Sequence, residues 1–417
     1  MKPKVLFVSE AISLAHVARP TVLASALDTA KFDIHFASSG EFAFCHAEQS
    51  FAPHRIKSIT PKDFLTRLGA GKPLYSYAEL DNYVKEDMGL IDAVKPDFIV
   101  SDFRLSLGIS ARLAGVPLLT ICNSHWSPDA IHERMSAPDL PLSRLIGHRV
   151  LDHVFHWTWP IVSKLHVSAA NRLRKHYGLM PYASLSEFYC DGDVSMYAES
   201  PALVRLREAS PSHTFIGPII WSPTSQLPSW WSGLARRKVS PVYITLGSTG
   251  RVDLLPRIVD ACRLENVSSI VSTAGRSDFR ASSPNVYAEA YLPGSEAAAM
   301  CSLVVCNGGS ATAYQALAQG RPVLGICSNL DQVMTMQGIA TAGAGEFIHA
   351  SEATLPRLRE MIRRMRTSES LSKCARAIQA SFATFDVLKR FPEVLEAAAR
   401  PTQRILNPLT LDPAYSS

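Results

Sequence analysis

The sequence predicts an α/β protein with two halves, each built on a doubly wound parallel sheet. Short apolar runs alternate with helical patterns along both halves of the chain. A stretch rich in proline and tryptophan, residues 215–231, separates the two halves. The length of 417 residues is large for one domain and comfortable for two. Because strands that alternate with helices form parallel sheets, these observations favour a two-domain α/β fold.

The first half is predicted to contain strands connected by helices. Apolar residues form a short strand over residues 5–8, and apolar side chains on neighbouring turns predict a helix over residues 17–27. The next strand covers residues 32–36. Further strands lie in KPDFIVSD, which ends at Asp102, and in PLLTI, with a helix between them. Residues 130–190 are less regular, and we expect helices and long loops there, over the carboxyl edge of the sheet.

The alternation restarts in the second half. PVYITLGS is predicted as a strand, LLPRIVDACRL as a helix, and SSIVSTAGR and SLVVCNGGS as strands that end in turns. The helix ATAYQALAQG, the strand RPVLGI and a helix over Leu355–Met365 follow. Pro392 is expected to begin a last short helix, because proline is tolerated in a first turn.

These patterns divide the chain into four segments. Residues 1–218 are predicted to form the first domain, residues 219–240 the linker and residues 241–385 the second domain. Residues 386–417 are predicted to form a C-terminal helix and tail that pack back toward the first domain. The tail after Pro401 is expected to pack irregularly or to fray.

The composition favours a globular protein without a nucleic-acid partner. Hydrophobic residues make up 47% of the chain, and the net charge of +5 comes from scattered lysines and arginines. The eight cysteines show no spacing typical of disulfides or zinc, so we expect reduced thiols. The N-terminal apolar run ends at Glu10, too early for a signal peptide, and no long apolar run follows. We therefore expect a cytoplasmic protein, with peripheral contact to a membrane as an open possibility.

Glycines and small polar residues follow the predicted strands of the second half. The turns read GSTG, TAGR, NGGSAT and NLDQ, and they begin at Gly247, Thr273, Asn307 and Asn329. Ligands of doubly wound sheets bind at the carboxyl ends of the strands, and a helix N-terminus favours an anion there. The turns therefore predict a diphosphate site, although tight turns need glycine in any case. The chain lacks the GxGxxG and P-loop patterns, which argues against hydride transfer and ATP hydrolysis.

The first half offers a candidate acid–base pair. His16 follows the first predicted strand, and Asp102 ends the strand FIVSD. Histidine accepts a proton near neutral pH, and a carboxylate on its other ring nitrogen fixes the tautomer. Each residue also has a structural interpretation, since a histidine near a helix start is often structural and an aspartate at a strand end often caps a helix.

Three stretches together resemble the family 1 glycosyltransferases, enzymes of the GT-B fold that glycosylate small molecules and lipids. They are AHVARPTVLASAL, PVYITLGS and YLPGSEAAAMCSLVVCNGGSATAYQALAQGRPVLGICSNLDQ. The resemblance implies two Rossmann-like domains that face a cleft. The acceptor would bind to the first domain and a UDP- or dTDP-sugar donor to the second, with no metal and no further cofactor. The acceptor would be a small molecule or a lipid.

The resemblance also implies roles for individual residues. His16 matches the general base of the family and Asp102 the acid that orients it. In the second half, the matching residues would contact the diphosphate, the base and the sugar hydroxyls. In that order of contact they are Gly247, Ser248, Asn307, Gly308, Gly309 and Thr312, then Leu292, then Asp331 and Gln332.

The sequence departs from the family pattern at the diphosphate loop. Asn307 stands where the family usually has histidine, so the side chain can donate a hydrogen bond but cannot carry a positive charge. Arg251 or Arg276 is a candidate for the missing charge. The sequence DGD, Asp191 to Asp193, is interpreted as a turn and not as a metal motif.

The predicted reaction is a single displacement that inverts the anomeric carbon. Two alternatives stay open from sequence: a catalytically inactive homologue that acts as a binding or helper protein, and a nucleotide-sugar 2-epimerase. His125, Trp126, Trp157 and Trp159 are candidates for an aromatic acceptor pocket, although large aromatic residues are often core.

Overall fold

The structure is a computed structural model, and it describes residues 2–207, 210, 212–223, 226–237, 239–281 and 283–399. The first sheet contains β1 (Lys4–Ser9), β2 (Asp33–Ser38), β3 (Ala52–Arg55), β4 (Phe98–Asp102), β5 (Leu118–Cys122), β6 (Val194–Tyr197) and β7 (His213–Phe215). The second contains β8 (Val242–Thr245), β9 (Ser269–Ser272), β10 (Val286–Glu289), β11 (Leu303–Cys306), β12 (Val323–Cys327) and β13 (Gly345–His349).

Helices connect the strands in both halves. In the first half they are α1 (Leu14–Ser25), α2 (Pro61–Gly69), α3 (Tyr77–Val94), α4 (Leu107–Ala114), α5 (Ser143–Ile146), α6 (His148–His176) and α7 (Leu185–Tyr189). In the second half they are α8 (Trp231–Arg236), α9 (Leu255–Leu264), α10 (Gly294–Ala299), α11 (Ser310–Ala318), α12 (Leu330–Thr341), α13 (Leu355–Met365), α14 (Glu369–Phe382) and α15 (Val387–Ala399).

Each sheet is parallel and doubly wound, as predicted. The strand orders are β3-β2-β1-β4-β5-β6-β7 and β10-β9-β8-β11-β12-β13. The order reverses direction between β1 and β4 in the first sheet and between β8 and β11 in the second, and both pairs are parallel. Such a switch point opens a crevice at the carboxyl ends of the strands. His16 and Asp102 lie near the first switch point, and Ser248 and Asn307 lie near the second.

The strands read as continuous apolar runs because helices cover both faces of each sheet. In β1, Val5 and Phe7 belong to one buried cluster and Leu6 and Val8 to another. Phe391 of α15 joins the first cluster, with its ring centroid 6.0 Å from that of Phe7. The last helix therefore packs on the first sheet.

Several elements differ from the sequence-based expectation. Pro392 lies inside α15 and does not begin it, because the Asp386 side chain accepts a hydrogen bond from the Lys389 amide and starts the helix a turn earlier. Residues 130–190, where helices and long loops were expected, contain one helix of 29 residues, α6, whose length was not predicted. The predicted linker contains α8, whose Trp231 is buried in the core of the second half. The tail after Pro401 lies outside the described residues.

Candidate active site

A cleft of about 490 Å³ lies between the carboxyl ends of the two sheets. Residues of both halves line it, so each sheet contributes one wall. Asp102 is fully buried and contacts the cleft through His16. The predicted site residues that line the cleft are His16, Gly247, Ser248, Leu292, Asn307, Gly309, Thr312, Asp331 and Gln332.

His16 lies in the first turn of α1 and points back to the end of β4. Its Nδ1 is 2.7 Å from Oδ1 of Asp102. Because a carboxylate only accepts hydrogen bonds, Nδ1 is the protonated ring nitrogen and Nε2 carries the lone pair. The ring stacks on Phe103, with a centroid distance of 4.8 Å. This arrangement orients Nε2 as a base.

The backbone carbonyl of His16 has an unusual hydrogen-bond donor. Pro20 lies inside α1 and has no N–H to donate to the carbonyl oxygen of His16, four residues earlier. The hydroxyl of Ser9, at the end of β1, donates to that oxygen at 2.6 Å. The bond replaces the missing helix bond and fixes the first turn of α1 against the sheet.

Arg19 joins His16 and Asp102 as a third member of this group, which the sequence did not reveal. Its Nε donates to Oδ2 of Asp102 at 2.8 Å, and its Nη2 donates to Oδ1 at 2.7 Å. Burial acts to lower the pKa of Arg19, but the Asp102 carboxylate more than offsets this and raises it. Arg19 Nη1 also donates to Oδ1 of Asn123 at 3.1 Å. The carboxylate behind His16 is therefore held on both oxygens.

The glycine loop after β11 leads into α11. Gly308 has a φ of +82°, and a side chain there would collide with Cys327 Sγ at 2.7 Å and Met336 Cγ at 2.8 Å. Only glycine fits this turn. Gly309 is the N-cap of α11, so the first backbone N–H groups of the helix face the cleft end of the sheet. These donors and the helix dipole form a site that favours an anion.

Asn307 organises this loop from within. Its Oδ1 accepts a hydrogen bond from the Gly309 amide at 3.2 Å, and its Nδ2 donates to Thr249 Oγ1 at 2.9 Å. Gln332 Nε2 donates to the same hydroxyl oxygen at 3.3 Å. Thr249 therefore joins two predicted donor-binding residues, and its own proton is left to donate.

Gln332 also has a structural contact. Its Oε1 accepts from the Ser328 amide at 2.8 Å and from the Asn329 amide at 3.3 Å, and its backbone N–H donates to Asn329 Oδ1 at 3.0 Å. This is a capping box, in which the N-cap and the third helical residue satisfy each other's backbone groups at the start of α12. A role toward sugar hydroxyls stays a prediction for this side chain.

Asp331 connects the two halves across the cleft. Its Oδ1 accepts from His125 Nε2 at 3.0 Å and from Trp126 Nε1 at 2.9 Å. Desolvation in the cleft acts to raise the pKa of Asp331, but these hydrogen bonds outweigh it and lower the pKa to about 2. The carboxylate is therefore ionised at neutral pH and is fixed by the first half.

Two serines of the second half also bond across the cleft. Ser248 Oγ accepts from the Leu14 amide at 3.2 Å and so satisfies one of the free N–H groups at the start of α1. Ser310 Oγ accepts from Asn123 Nδ2 at 3.2 Å. Each hydroxyl oxygen is used as an acceptor, which leaves its proton able to donate to a ligand.

Comparison with known proteins places this geometry in a family. No protein-family model matches the chain. A PGL/p-HBAD biosynthesis glycosyltransferase of Mycobacterium tuberculosis is 34% identical over 400 residues, which cover 96% of this chain and 92% of the relative. A PGL/p-HBAD biosynthesis rhamnosyltransferase of Mycobacterium bovis BCG is 35% identical over 398 residues, which cover 95% and 88%. The chain belongs to this glycosyltransferase family.

Other comparisons agree on the fold and add one contrast. The spinosyn rhamnosyltransferase SpnG superposes with a TM-score of 0.69 at 18% identity, over 95% of this chain and 100% of that one. The architecture is thus the GT-B fold, which confirms the resemblance found in the sequence. An inactive PGL/p-HBAD biosynthesis glycosyltransferase of Mycobacterium bovis BCG is 35% identical over 261 residues, which cover 62% of this chain and 71% of the relative.

The first-half wall of this glycosyltransferase cleft is mostly apolar. Of the predicted aromatic candidates, Trp126 and Trp159 line the cleft, and His125 lies behind Asp331. Trp157 is 79% exposed and does not line the cleft, so its assignment to an acceptor pocket is wrong. A different face of α6, which carries Trp159, lines the cleft. Further cleft residues on this side are Phe64, Phe103, Leu140, Phe155 and Tyr189.

The two arginines considered as a substitute for the family histidine have other partners. Arg251 pairs with Asp253 on the surface, with Nη2 2.7 Å from Oδ2. Arg276 Nη1 donates to the carbonyl oxygen of Gly250 at 2.8 Å and so supports the turn after β8. Neither side chain lines the cleft.

The remaining sequence features have structural roles in the described part of the chain. Asp191 of the DGD sequence accepts hydrogen bonds from Arg112 and Tyr182, and Asp193 Oδ2 accepts from the Leu118 amide at 2.8 Å. These bonds hold a turn before β6. Within the described ranges, no cluster of three histidine, cysteine or acidic side chains has metal-binding geometry. Within the same ranges, we find no helix with the length and apolar character needed to span a bilayer.

Proposed function

We propose that the protein is an inverting glycosyltransferase that moves a sugar from a dTDP- or UDP-sugar to a hydroxyl of an apolar, phenolic acceptor. The observation that carries the proposal is the His16–Asp102 pair at 2.7 Å, on the cleft wall opposite the glycine loop and α11. The family relatives are named for PGL/p-HBAD biosynthesis, and one is named a rhamnosyltransferase. A phenolic lipid and dTDP-rhamnose are therefore the first pair of substrates to test.

The geometry supports a single displacement. His16 Nε2 takes the proton of the acceptor hydroxyl, and Asp102 stabilises the imidazolium that forms. The acceptor oxygen then forms a bond to the anomeric carbon as the bond to the diphosphate oxygen breaks. The electron pair of that bond leaves with the nucleoside diphosphate, and attack from the opposite face inverts the anomeric carbon.

The second half is suited to the leaving group. The N-terminus of α11 and the hydroxyls of Ser248, Thr249 and Ser310 line the cleft, and in this proposal they stabilise the negative charge that develops on the diphosphate. These groups supply the positive potential that a divalent cation would otherwise supply, so we propose a metal-independent reaction. Asp331, ionised and held by His125, is placed to accept from sugar hydroxyls.

The inactive relative supports a competing function as a binding or helper protein. Asn307 in place of histidine is compatible with that function. The intact His16–Asp102 pair, with Arg19 behind it, favours catalysis instead, because a protein without chemistry has no need to orient a base. A 2-epimerase would need carboxylates around C2 and C3 of the sugar, whereas Asp331 is the single acidic residue that lines the cleft among the residues that the structure describes.

Calorimetric titration with dTDP-rhamnose, UDP-glucose and GDP-mannose identifies the donor class. Incubation of that donor with a short alkyl ester of 4-hydroxybenzoate, followed by mass spectrometry, tests transfer. We expect one donor class to bind and one sugar to be added to the phenol, with inverted configuration by NMR. Donor binding without transfer to any phenol would favour the helper protein, and conversion of the donor to its C2 epimer would favour the epimerase.

A further inference from the structure

The outer surface of α6 carries a continuous apolar stripe. Trp157 is 79% exposed, Ile161 64% and Leu165 60%. They recur every four residues, so they lie on one side of the helix. Leu145, at the end of the preceding α5, is 83% exposed. We call the exposed apolar residues on this side of α6 the outer stripe; they are Val150, Val154, Trp157, Ile161 and Leu165.

The stripe is not explained by the fold. The opposite side of α6 is already buried in the core of the first half, through residues that include Leu151, Phe155, Val167 and Leu173. The helix is therefore held in place without the stripe. Exposed apolar residues are usually scattered, and a contiguous set of large ones marks a surface that meets an apolar partner.

Charges beside the stripe indicate the partner. Arg149, Lys164, Arg172 and Lys175 are exposed on the same helix. The single acid of α6, Asp152, is partly buried and accepts a hydrogen bond from the Ala137 amide at 2.8 Å. An apolar face with basic residues beside it suits the surface of an anionic bilayer. A second copy of the chain suits it less well, because a twofold contact would bring the same cations face to face.

The stripe is continuous with the cleft. Val154 belongs to the stripe and also lines the cleft, together with Thr158 and Val162 of the same helix. The apolar wall of the cleft therefore begins at the outer surface of α6. An acceptor with a lipid tail can enter from a bilayer beside α6 while its tail stays in the lipid.

We propose that α6 docks the protein on an anionic lipid bilayer through Trp157, Ile161 and Leu165, with Lys164 and Arg149 on the lipid headgroups, so that the cleft opens toward the membrane. This inference rests on the proposed function for its choice of a lipid acceptor. The docking itself needs no sugar and no acceptor, and so it can be tested alone.

The test is sedimentation of the full chain with vesicles, at low salt and without substrates. We expect binding to vesicles of phosphatidylglycerol and phosphatidylcholine that exceeds binding to phosphatidylcholine alone. The double variant Trp157→Ser/Ile161→Ser should partition about tenfold more weakly, because both residues lose their apolar contact with lipid. Lys164→Glu should weaken binding to the anionic vesicles by at least about fivefold.

A matched control removes an exposed apolar residue elsewhere. Leu388 on α15 is 53% exposed, like Val150, and Leu388→Ser should bind vesicles as the wild type does. All of these side chains are exposed, so the variants should fold, and circular dichroism checks this. Equal vesicle binding by wild type and double variant, or no binding by the wild type, would overturn the docking. So would a wild-type dimer in sedimentation velocity that the double variant converts to a monomer.

Transfer to the short, water-soluble ester in the absence of vesicles separates this proposal from the proposed function. The stripe variants should keep that transfer, because Trp157 and Ile161 do not line the cleft. Loss of vesicle binding by the double variant with retained transfer supports the docking. Vesicle binding by the wild type without any transfer would leave the docking intact and would contradict the proposed function.

Discussion

Arg19 holds both oxygens of the Asp102 carboxylate, with Nε 2.8 Å from Oδ2 and Nη2 2.7 Å from Oδ1. Oδ1 is also the partner of His16 Nδ1, so one oxygen serves the arginine and the imidazole together. Arg19 Nη2 lies 3.3 Å from that same Nδ1. The guanidinium thus fixes the carboxylate and also opposes positive charge on the imidazole. Asp102 therefore orients His16, but Arg19 offsets part of the negative charge that Asp102 presents to the imidazole.

Replacement of Arg19 by methionine should change both the rate and its pH dependence. The uncompensated Asp102 charge would favour the imidazolium, so the acidic limb of the kcat/KM profile should move to higher pH. The freed carboxylate would also orient His16 less well, and we expect kcat to fall roughly 10–100-fold. Arg19→Lys, which keeps the charge but not the two-pronged contact, should lower kcat and leave the limb in place. An unchanged profile in Arg19→Met would contradict this role.

Replacement of Thr249 by valine tests the organisation of the donor loop. The change removes the hydroxyl that Asn307 Nδ2 and Gln332 Nε2 both contact, without a change in shape. We expect about tenfold weaker donor binding by calorimetry, because unpaired amide donors cost about 1–3 kcal/mol. Thr249→Ser keeps the hydroxyl and serves as the control. Donor affinity that is the same in all three proteins would show that the loop does not depend on Thr249.

Asp331 should make stability sensitive to acid. Its folded pKa of about 2 is lower than the ordinary value of 3.8, so its charge stabilises the fold above 3.8 and this contribution disappears as pH falls toward 2. Asp331→Asn should therefore be less stable than wild type at neutral pH. Thermal unfolding followed over that acid range should show the difference shrink. A difference that stays constant with pH would mean that the charge of Asp331 does not stabilise the fold.

A buried ion cluster in the first half should dominate stability. Arg104 is fully buried, with Nη1 3.0 Å from Glu10 Oε2 and Nε 3.0 Å from Asp87 Oδ1. Arg104→Met would leave these carboxylates buried without a cation, at a cost of about 3–5 kcal/mol. We expect a large decrease in the free energy of unfolding, measured by urea titration.

The loss in Arg104→Met should depend on pH in a defined direction. Burial raises the pKa of Glu10, although Arg104 acts to lower it. Without Arg104 the pKa rises further, and a raised carboxyl pKa favours the fold at low pH and disfavours it as pH rises. The variant should therefore be closer to wild type in acid than in base. Arg104→Lys is the control that keeps a positive charge, and an equal loss at all pH values would contradict the account.

Much of this architecture follows from local sequence signals. Buried strands between helices predicted both sheets, because helices cover both faces of each sheet and the strands stay apolar throughout. The positions of the strand ends in the sequence also predicted where polar residues would lie together, because parallel strands bring their carboxyl ends to one edge of the sheet. That is how His16 and Asp102, 86 positions apart, could be paired from sequence.

Other features depend on contacts that no local pattern contains. Arg19 resembles any helical arginine until β4 places Asp102 beside it, and His125 acquires its partner Asp331 only when the two halves meet. Helices were expected in residues 130–190, but the bounds of α6 were not predicted, because its outer stripe is apolar and hides the usual alternation of buried and exposed faces. The last helix was expected to begin at Pro392, because proline is common in a first helical turn, and so the first turn of α15 was missed.

The most direct test of the account is a comparison of His16→Ala with wild type, by calorimetry and by turnover with the same donor. The account predicts donor affinity within about twofold of wild type, because His16 lies on the acceptor wall, and kcat lower by about 10²–10⁴-fold, because the base is gone. Turnover that survives in His16→Ala with normal donor binding would contradict the central claim that His16 removes the acceptor proton.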